Sequence, residues 1–219
     1  MSVTLLIDYM SQPSRAVLSF CLVSDIPFEV KEIDIIKGQT DTKEFLDISP
    51  SGTVPAIVHN GFMLYESHAI LAYLANTFEV QDHWYPKDPK KRALVDLYLH
   101  WHHLNLRYGC GHYIYRKVVR PIFSKRPFSK DLESDMLHLQ TKSLLFLEKT
   151  FSRQLFISSN DMPTIADISA YCEILQLFMI QFDFSPYPNI KRWLKDIGAI
   201  PGVAKAHAKF YQMVGIPKL

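Results

Sequence analysis

Residues 3 to 8, "VTLLID", are apolar and β-branched over the length of a buried strand, and the chain then continues as "RAVLSFCLV" with apolar residues at helical spacing. "IPFEVKEIDI" alternates again, so the chain opens as strand, helix, strand, a βαβ unit with the helix as its crossover. A polar stretch, "KGQTDTKEFLDISPSG", carries a short helix, and "VPAIVH" and "GFMLY" follow as two short strands. Asn60-Gly61 between them is a hairpin signal, because both residue types accept the positive φ that a tight turn requires. "ESHAILAYLANTF" then reads as an amphipathic helix.

The order βαβαββα within residues 1–80 is that of a thioredoxin-like α/β domain built on a small mixed sheet. "EVQDHWYPKDPKK", with two prolines and a cluster of charges, marks a linker over 81–90, and residues 91–219 read as an all-α domain. One helical run is expected from Arg92 to Val119, with Leu94, Leu97, Tyr98, Trp101 and Leu104 at helical spacing, and another from Asp131 to Phe151. "RPIFSKRPF" between them is a proline-punctuated loop. In "MPTIADISAYCEILQL", Thr164 and Asp167 have capping-box spacing, which predicts a sharp helix start worth about 1 kcal/mol for the threonine cap. Helices around Pro188 to Ile197 and Val203 to Met213 close the chain.

The 219 residues, 48% of them hydrophobic, suffice for one or two domain cores. Lysine and arginine total 24 against 22 acids, and with a net charge of +2 and no long basic run, neither nucleic acid nor an anionic membrane is expected as a partner. No signal-peptide pattern and no uninterrupted run of about 18 apolar residues is present, which predicts a soluble cytoplasmic protein. Cys21, Cys110 and Cys172 are odd in number and far apart, as expected of free, buried thiols in a reducing compartment. His100 and His103 in "HWHH" lie one helical turn apart, but no carboxylate or cysteine completes a ligand set, so no metal is expected.

The strand-to-helix junction "MSQPSRAV" sits at the carboxyl edge of the sheet, where helix N-terminal N–H groups favour an anion. Thioredoxin-like redox proteins carry CxxC there. Here the four residues are Ser11-Gln12-Pro13-Ser14, so dithiol exchange at this junction is excluded and any thiol must come with a ligand. The Ser11 hydroxyl suits two tasks: an ordinary N-cap, with Pro13 near the first helical position, or a hydrogen-bond donor to a bound thiolate. Taken alone, Ser11 fits the cap best. The second task is energetically within reach, since lowering a thiol pKa by about two units takes about 2.7 kcal/mol. One hydrogen bond to a charged group, roughly 1.5 to 3 kcal/mol, together with a helix N-terminus, roughly 0.3 to 1, supplies it.

Two further features point to the same edge. Val54-Pro55 opens a strand, and a cis bond there would expose the Val54 backbone to a peptide ligand; a trans strand-entry proline is the plainer alternative. Glu66 and Ser67 begin the next helix, where they suit an ammonium and a carboxylate, or simply a helix start. A ligand with a thiol, a carboxylate and an amine would use all three places.

With these residues in view, the chain resembles the glutathione transferases, theta class. "SQPSRAV" followed by "IPFEV", then "IKGQ", "VPAIVHNGFMLYESHAILAYL" and "DHWYPKDPKKRALVDLYLHWHH" carry the resemblance over nearly the full length. It implies that Ser11 stabilises the glutathione thiolate and that Gln12 lies beside it. Val54 would pair through its backbone with the cysteinyl part, next to a cis Pro55, while Glu66 and Ser67 hold the γ-glutamyl end. Arg107, in "HHLNLRYG", is placed on the helix facing the cleft, where it would assist the thiolate or polarise the electrophile; a surface arginine is the alternative. Glutathione as co-substrate, small hydrophobic electrophiles and a homodimer follow from the same resemblance.

Departures from the pattern are Thr40, Gly52 and Thr53, which stand where theta-class proteins tend to carry basic residues for the glycine carboxylate; Lys37 and Lys43 are the available replacements. The sequence given ends at Leu219 without the C-terminal extension of many animal theta members, so a more open electrophile site is expected. Peroxide reduction or dehalogenation at the same site, and a non-catalytic ligand- or protein-binding module, are the rival readings.

Overall fold

Strand β1 (Val3–Ile7) occupies the interior of a four-stranded sheet with the order β2-β1-β3-β4. The computed structural model describes residues 2–122, 124 and 127–215. β2 (Phe28–Glu32) runs parallel to β1 with Val3 opposite Phe28, whereas β3 (Ala56–His59) is antiparallel to β1 with Thr4 opposite Val58. β4 (Phe62–Tyr65) completes the hairpin, and Asn60 (φ 51) and Gly61 (φ 80) take the positive φ angles expected of that pair.

Alternation along β1 divides the core between the two sheet faces. Val3, Leu5 and Ile7 enter the larger core beneath α1 (Gln12–Val23) and α3 (Ser67–Thr77). Leu6 faces the other way and joins Ile33, Phe45, Val54 and Ala56 in a small cluster, with Phe45 supplied by the one-turn helix α2 (Lys43–Leu46). The fold is therefore the mixed-sheet, thioredoxin-like arrangement read from the sequence, followed by helices.

Those helices are α4 (Pro89–Leu104), α5 (Lys130–Phe151), α6 (Ile165–Leu175), α7 (Pro188–Gly198) and α8 (Pro201–Val214). Every residue of α6 is buried, and α1 packs against both α6 and α8, so the larger core passes without interruption from the sheet into the helices. Among the described residues no helix is long and apolar enough to cross a membrane.

The single helix expected from Arg92 to Val119 does not form. It starts three residues earlier, breaks at Asn105 (φ −119, ψ −92), and continues as wide π-helical turns over Arg107–His112 and Tyr115–Val119. Gly109 presses on the Gln140 backbone of α5 so closely that a Cβ there would overlap it, and tertiary packing thus sets the wider winding. Of the proline-punctuated loop, Phe123, Lys125 and Arg126 lie outside the described residues, as do residues 216–219 of the closing "GIPKL".

Candidate active site

The turn before α1 is held from beneath. Asp8 accepts the Met10 N–H at 2.8 Å, and the fully buried Arg15 guanidinium donates to the Tyr9 and Met10 carbonyls at 2.8 and 2.9 Å. Burial lowers the Arg15 pKa to about 10, which leaves it a cation, stacked 3.8 Å from the Phe210 ring centre. Ser11 is the N-cap of α1: its oxygen accepts the Ser14 N–H at 3.4 Å, and its hydrogen goes to no protein acceptor among the described residues. The first turn of α1 carries no acidic residue of its own. Ser14 is fully buried, as its small size in a packed turn suggests.

A cavity of about 190 Å³ opens beside this turn, lined by Pro13, Thr53, Val54, Pro55, Glu66 and Ser67 from the sheet domain. His102, His103, Arg107, Ser169 and Glu173 close it from the helical side. The Val54-Pro55 bond is cis, and Val54 precedes β3 outside the ladder register. Glu66 takes φ 69 at the start of α3, a positive angle that bulky L-residues seldom adopt and that recurs at functional turns.

Five of the seven residues given a site role in the sequence therefore meet in one pocket: Val54, Pro55, Glu66, Ser67 and Arg107. Pro13 brings the α1 turn to the rim, but Ser11 and Gln12 are not among the lining residues. Gln12 is buried and turned toward α6, donating to Glu173 Oε2 at 3.2 Å and accepting from Gln176 Nε2 at 3.1 Å. Arg107 is neither free in the cleft nor a plain surface arginine. It is about one quarter exposed and donates to Glu173 Oε1 at 2.5 Å.

Glu173, unremarked in the sequence, is 2% exposed. Burial by itself raises such a carboxyl, but the Arg107 charge and the donors around it outweigh that and hold the pKa at about 2. The single signal that marks it is an acid in the otherwise apolar "AYCEILQL". A histidine group also escaped the sequence reading: the His68 ring lies 4.8 Å from that of His102 and 4.7 Å from that of His103, and its Nε2 sits 2.7 Å from Ser169 Oγ. Burial, reinforced by the neighbouring rings, lowers the pKa of His68 and of His103, so both are neutral near pH 7.

Lys37 and Lys43 do not reach the pocket; each pairs on the surface with a nearby acid, Asp34 at 3.0 Å and Asp47 at 2.8 Å. Thr53 does line it, while Thr40 is buried. Among the described residues no group of three or more histidine, cysteine, aspartate or glutamate side chains is arranged to hold a metal ion. Cys21, Cys110 and Cys172 are free and buried, and burial pushes the Cys21 and Cys172 thiols up to about 12.

Known proteins share this fold. Residues 5–83 match the family description "Glutathione S-transferase, N-terminal domain" and residues 113–201 match "Glutathione S-transferase, C-terminal domain". Glutathione S-transferase T1 of Arabidopsis thaliana is 40% identical over 197 residues, covering 86% of this chain and 80% of that protein. The human glutathione-S-transferase T1-1 apo structure superposes with a TM-score of 0.87 at 33% identity, over 99% of this chain and 92% of that one. Human glutathione transferase theta-2, solved in complex with glutathione and an unknown ligand, superposes at 0.89 with 30% identity, over 99% of this chain and 93% of that one. The chain belongs to the glutathione S-transferase family, in its theta class.

Proposed function

We propose that this protein catalyses attack of the glutathione thiolate on an electrophilic carbon, with loss of a halide or other leaving group or addition to an activated double bond, as a detoxifying conjugation. The Ser11 hydroxyl donates to the sulfur, because only the thiolate is strongly nucleophilic and its pKa must be lowered. The Val54 backbone pairs with the cysteinyl unit beside Pro55. Glu66 takes the γ-glutamyl ammonium, while Ser67 and the first N–H groups of α3 take its carboxylate. Gln12 holds the Ser11 turn, and Arg107 faces the electrophile.

The observation that carries this reading is the Ser11 hydroxyl hydrogen, left without a protein acceptor among the described residues at the N-terminus of a helix whose own first turn holds no acid. Glutathione in the theta-2 relative supports the choice of co-substrate. The test is Ser11→Ala, assayed for conjugation across pH. A rate loss of about tenfold or more, with the profile displaced to higher pH, is expected from losing a hydrogen bond to a charged sulfur. An unchanged rate and profile would remove Ser11 from the mechanism.

The working form in this reading is a cytoplasmic homodimer. Its support is apolar exposure on two parts of the chain, Phe62 (48%) and Met63 (48%) on β4 and Leu94 (52%) and Leu97 (60%) on α4. Sedimentation at micromolar concentration tests it: a single species of twice the 25.4 kDa chain mass is expected.

A further inference from the structure

Replacing a buried ion pair by apolar side chains is often neutral or stabilising, so a buried carboxylate in the all-buried helix α6 calls for a reason other than stability. Glu173 divides its two oxygens between different parts of the site. Oε1 accepts from Arg107 on the pocket wall at 2.5 Å, and Oε2 accepts from Gln12, next to Ser11, at 3.2 Å. Gln176, one turn further along the chain, donates both to Gln12 Oε1 at 3.1 Å and to the Met10 carbonyl at 3.2 Å. His102 Nε2 stands 3.6 Å from Oε1, beyond hydrogen-bond range. The π-helical turn passes directly over this junction, and a Cβ on Gly111 would collide with both the Glu173 carboxylate and the Gln12 amide. The junction is thus roofed by the π-helical turn and open only toward the pocket, and a carboxylate is the one side-chain group of this size that accepts from both partners at once.

We infer that Glu173 is a positioning residue for the conjugation reaction: its shared carboxylate fixes the Ser11 turn, through Gln12, relative to the Arg107 guanidinium on the pocket wall. The inference rests on the reading given above for Ser11 and Arg107. Glutathione itself is held elsewhere in that reading, by Val54, Glu66 and Ser67, so Glu173 bears on turnover and thiolate ionisation rather than on glutathione affinity. A glutamine in its place has the same size but a single acceptor oxygen, and it keeps one of the two links while losing the other.

The experiment compares wild type, Ser11→Ala, Glu173→Gln, Arg107→Met and the double variant Glu173→Gln/Arg107→Met. Each is assayed with glutathione and benzyl chloride across pH, alongside titration of the bound thiolate by its ultraviolet absorbance. For Glu173→Gln, kcat is expected to fall about tenfold, KM for glutathione to change less than about threefold, and the thiolate pKa to rise. The double variant is expected to fall short of the product of its two single losses by about fivefold or more, since both act through one contact. An unchanged kcat and pKa, multiplicative losses, or a pKa that falls because Glu173 merely screens the Arg107 charge would each overturn the inference. If Glu173→Gln does not fold, Glu173→Asp, which keeps the charge and shortens the reach, is expected to give the same kcat-selective loss; loss of thermal stability alone would overturn the inference. An intact rate in Ser11→Ala would instead strike the Ser11 reading, whatever Glu173→Gln does.

Discussion

Asp167 and Glu173 are two carboxylates buried on one helix, at 0% and 2% exposure, and their proton affinities are driven in opposite directions. Asp167 accepts from the Ile157 and Thr164 N–H groups and the Trp193 indole, each at 2.9 Å, and from the Thr164 hydroxyl at 3.1 Å. All four donors are neutral, and burial pushes its carboxyl up in spite of them. Glu173 has fewer short contacts but one of them is a guanidinium, and with the His102 ring 3.6 Å away its carboxyl falls to about 2. Neutral donors satisfy the lone pairs without repaying the transfer of the charge from water; a cation repays it. Asp167 accordingly locks the start of a helix, whereas Glu173 holds a charged group at the edge of the pocket.

The largest effect is expected at the structural member of the pair. Asp167→Ala strands two backbone N–H groups and an indole N–H, at about 1 to 3 kcal/mol each, and a loss of about 3 to 5 kcal/mol is expected in urea unfolding at an unchanged m-value. A loss below 1 kcal/mol would mean that water enters and replaces the carboxylate, and the contrast would fail.

Next come the pH slopes, whose signs differ. The Glu173 pKa is depressed in the folded state from an ordinary 4.5, so its contribution is present above that value and drains away as pH falls toward about 2. The stability advantage of wild type over Glu173→Gln should shrink along that path. Asp167 is shifted upward, the folded state binds its proton more tightly, and the advantage of wild type over Asp167→Asn should instead grow as pH falls. Urea midpoints measured at intervals down the acid limb read both slopes, and slopes of the same sign would break the comparison.

The two caps give the smaller effects. Thr164 belongs to a complete capping box with its oxygen accepting the Ala166 N–H at 3.2 Å, and Thr164→Ala should cost about 1 kcal/mol of stability with no change in turnover per folded molecule. Ser11 has the longer, half-exposed bond at 3.4 Å, so Ser11→Ala should cost only about 0.5 kcal/mol by thermal melting while losing most of its activity.

What the sequence determined by itself lies within a few residues of its own cause. The change from period two to period 3.6 sets the βαβ opening, Asn60-Gly61 sets the hairpin, and Thr164 with Asp167 sets the start of α6, because each signal acts through backbone geometry inside one turn. Val54, Pro55, Glu66 and Ser67, which line the cavity, and Ser11, which caps α1, could be singled out for the same reason, since each stands at the start of a strand or a helix. Tertiary structure decided the rest. Gln12 and Glu173 are 161 residues apart and His68 and Ser169 are 101 apart, and no local period records that α1, α3 and α6 meet. The break after Leu104 falls at Asn105, whose side-chain amide donates back to the Trp101 carbonyl at 2.8 Å, but the wide turns that follow it were hidden likewise, because they go with the close approach of Gly109 to α5 and of Gly111 to Glu173 and Gln12. Arg107 was visible as a residue but not as half of a pair: the cation was in the sequence, and the partner that restrains it came only with the packing of α6.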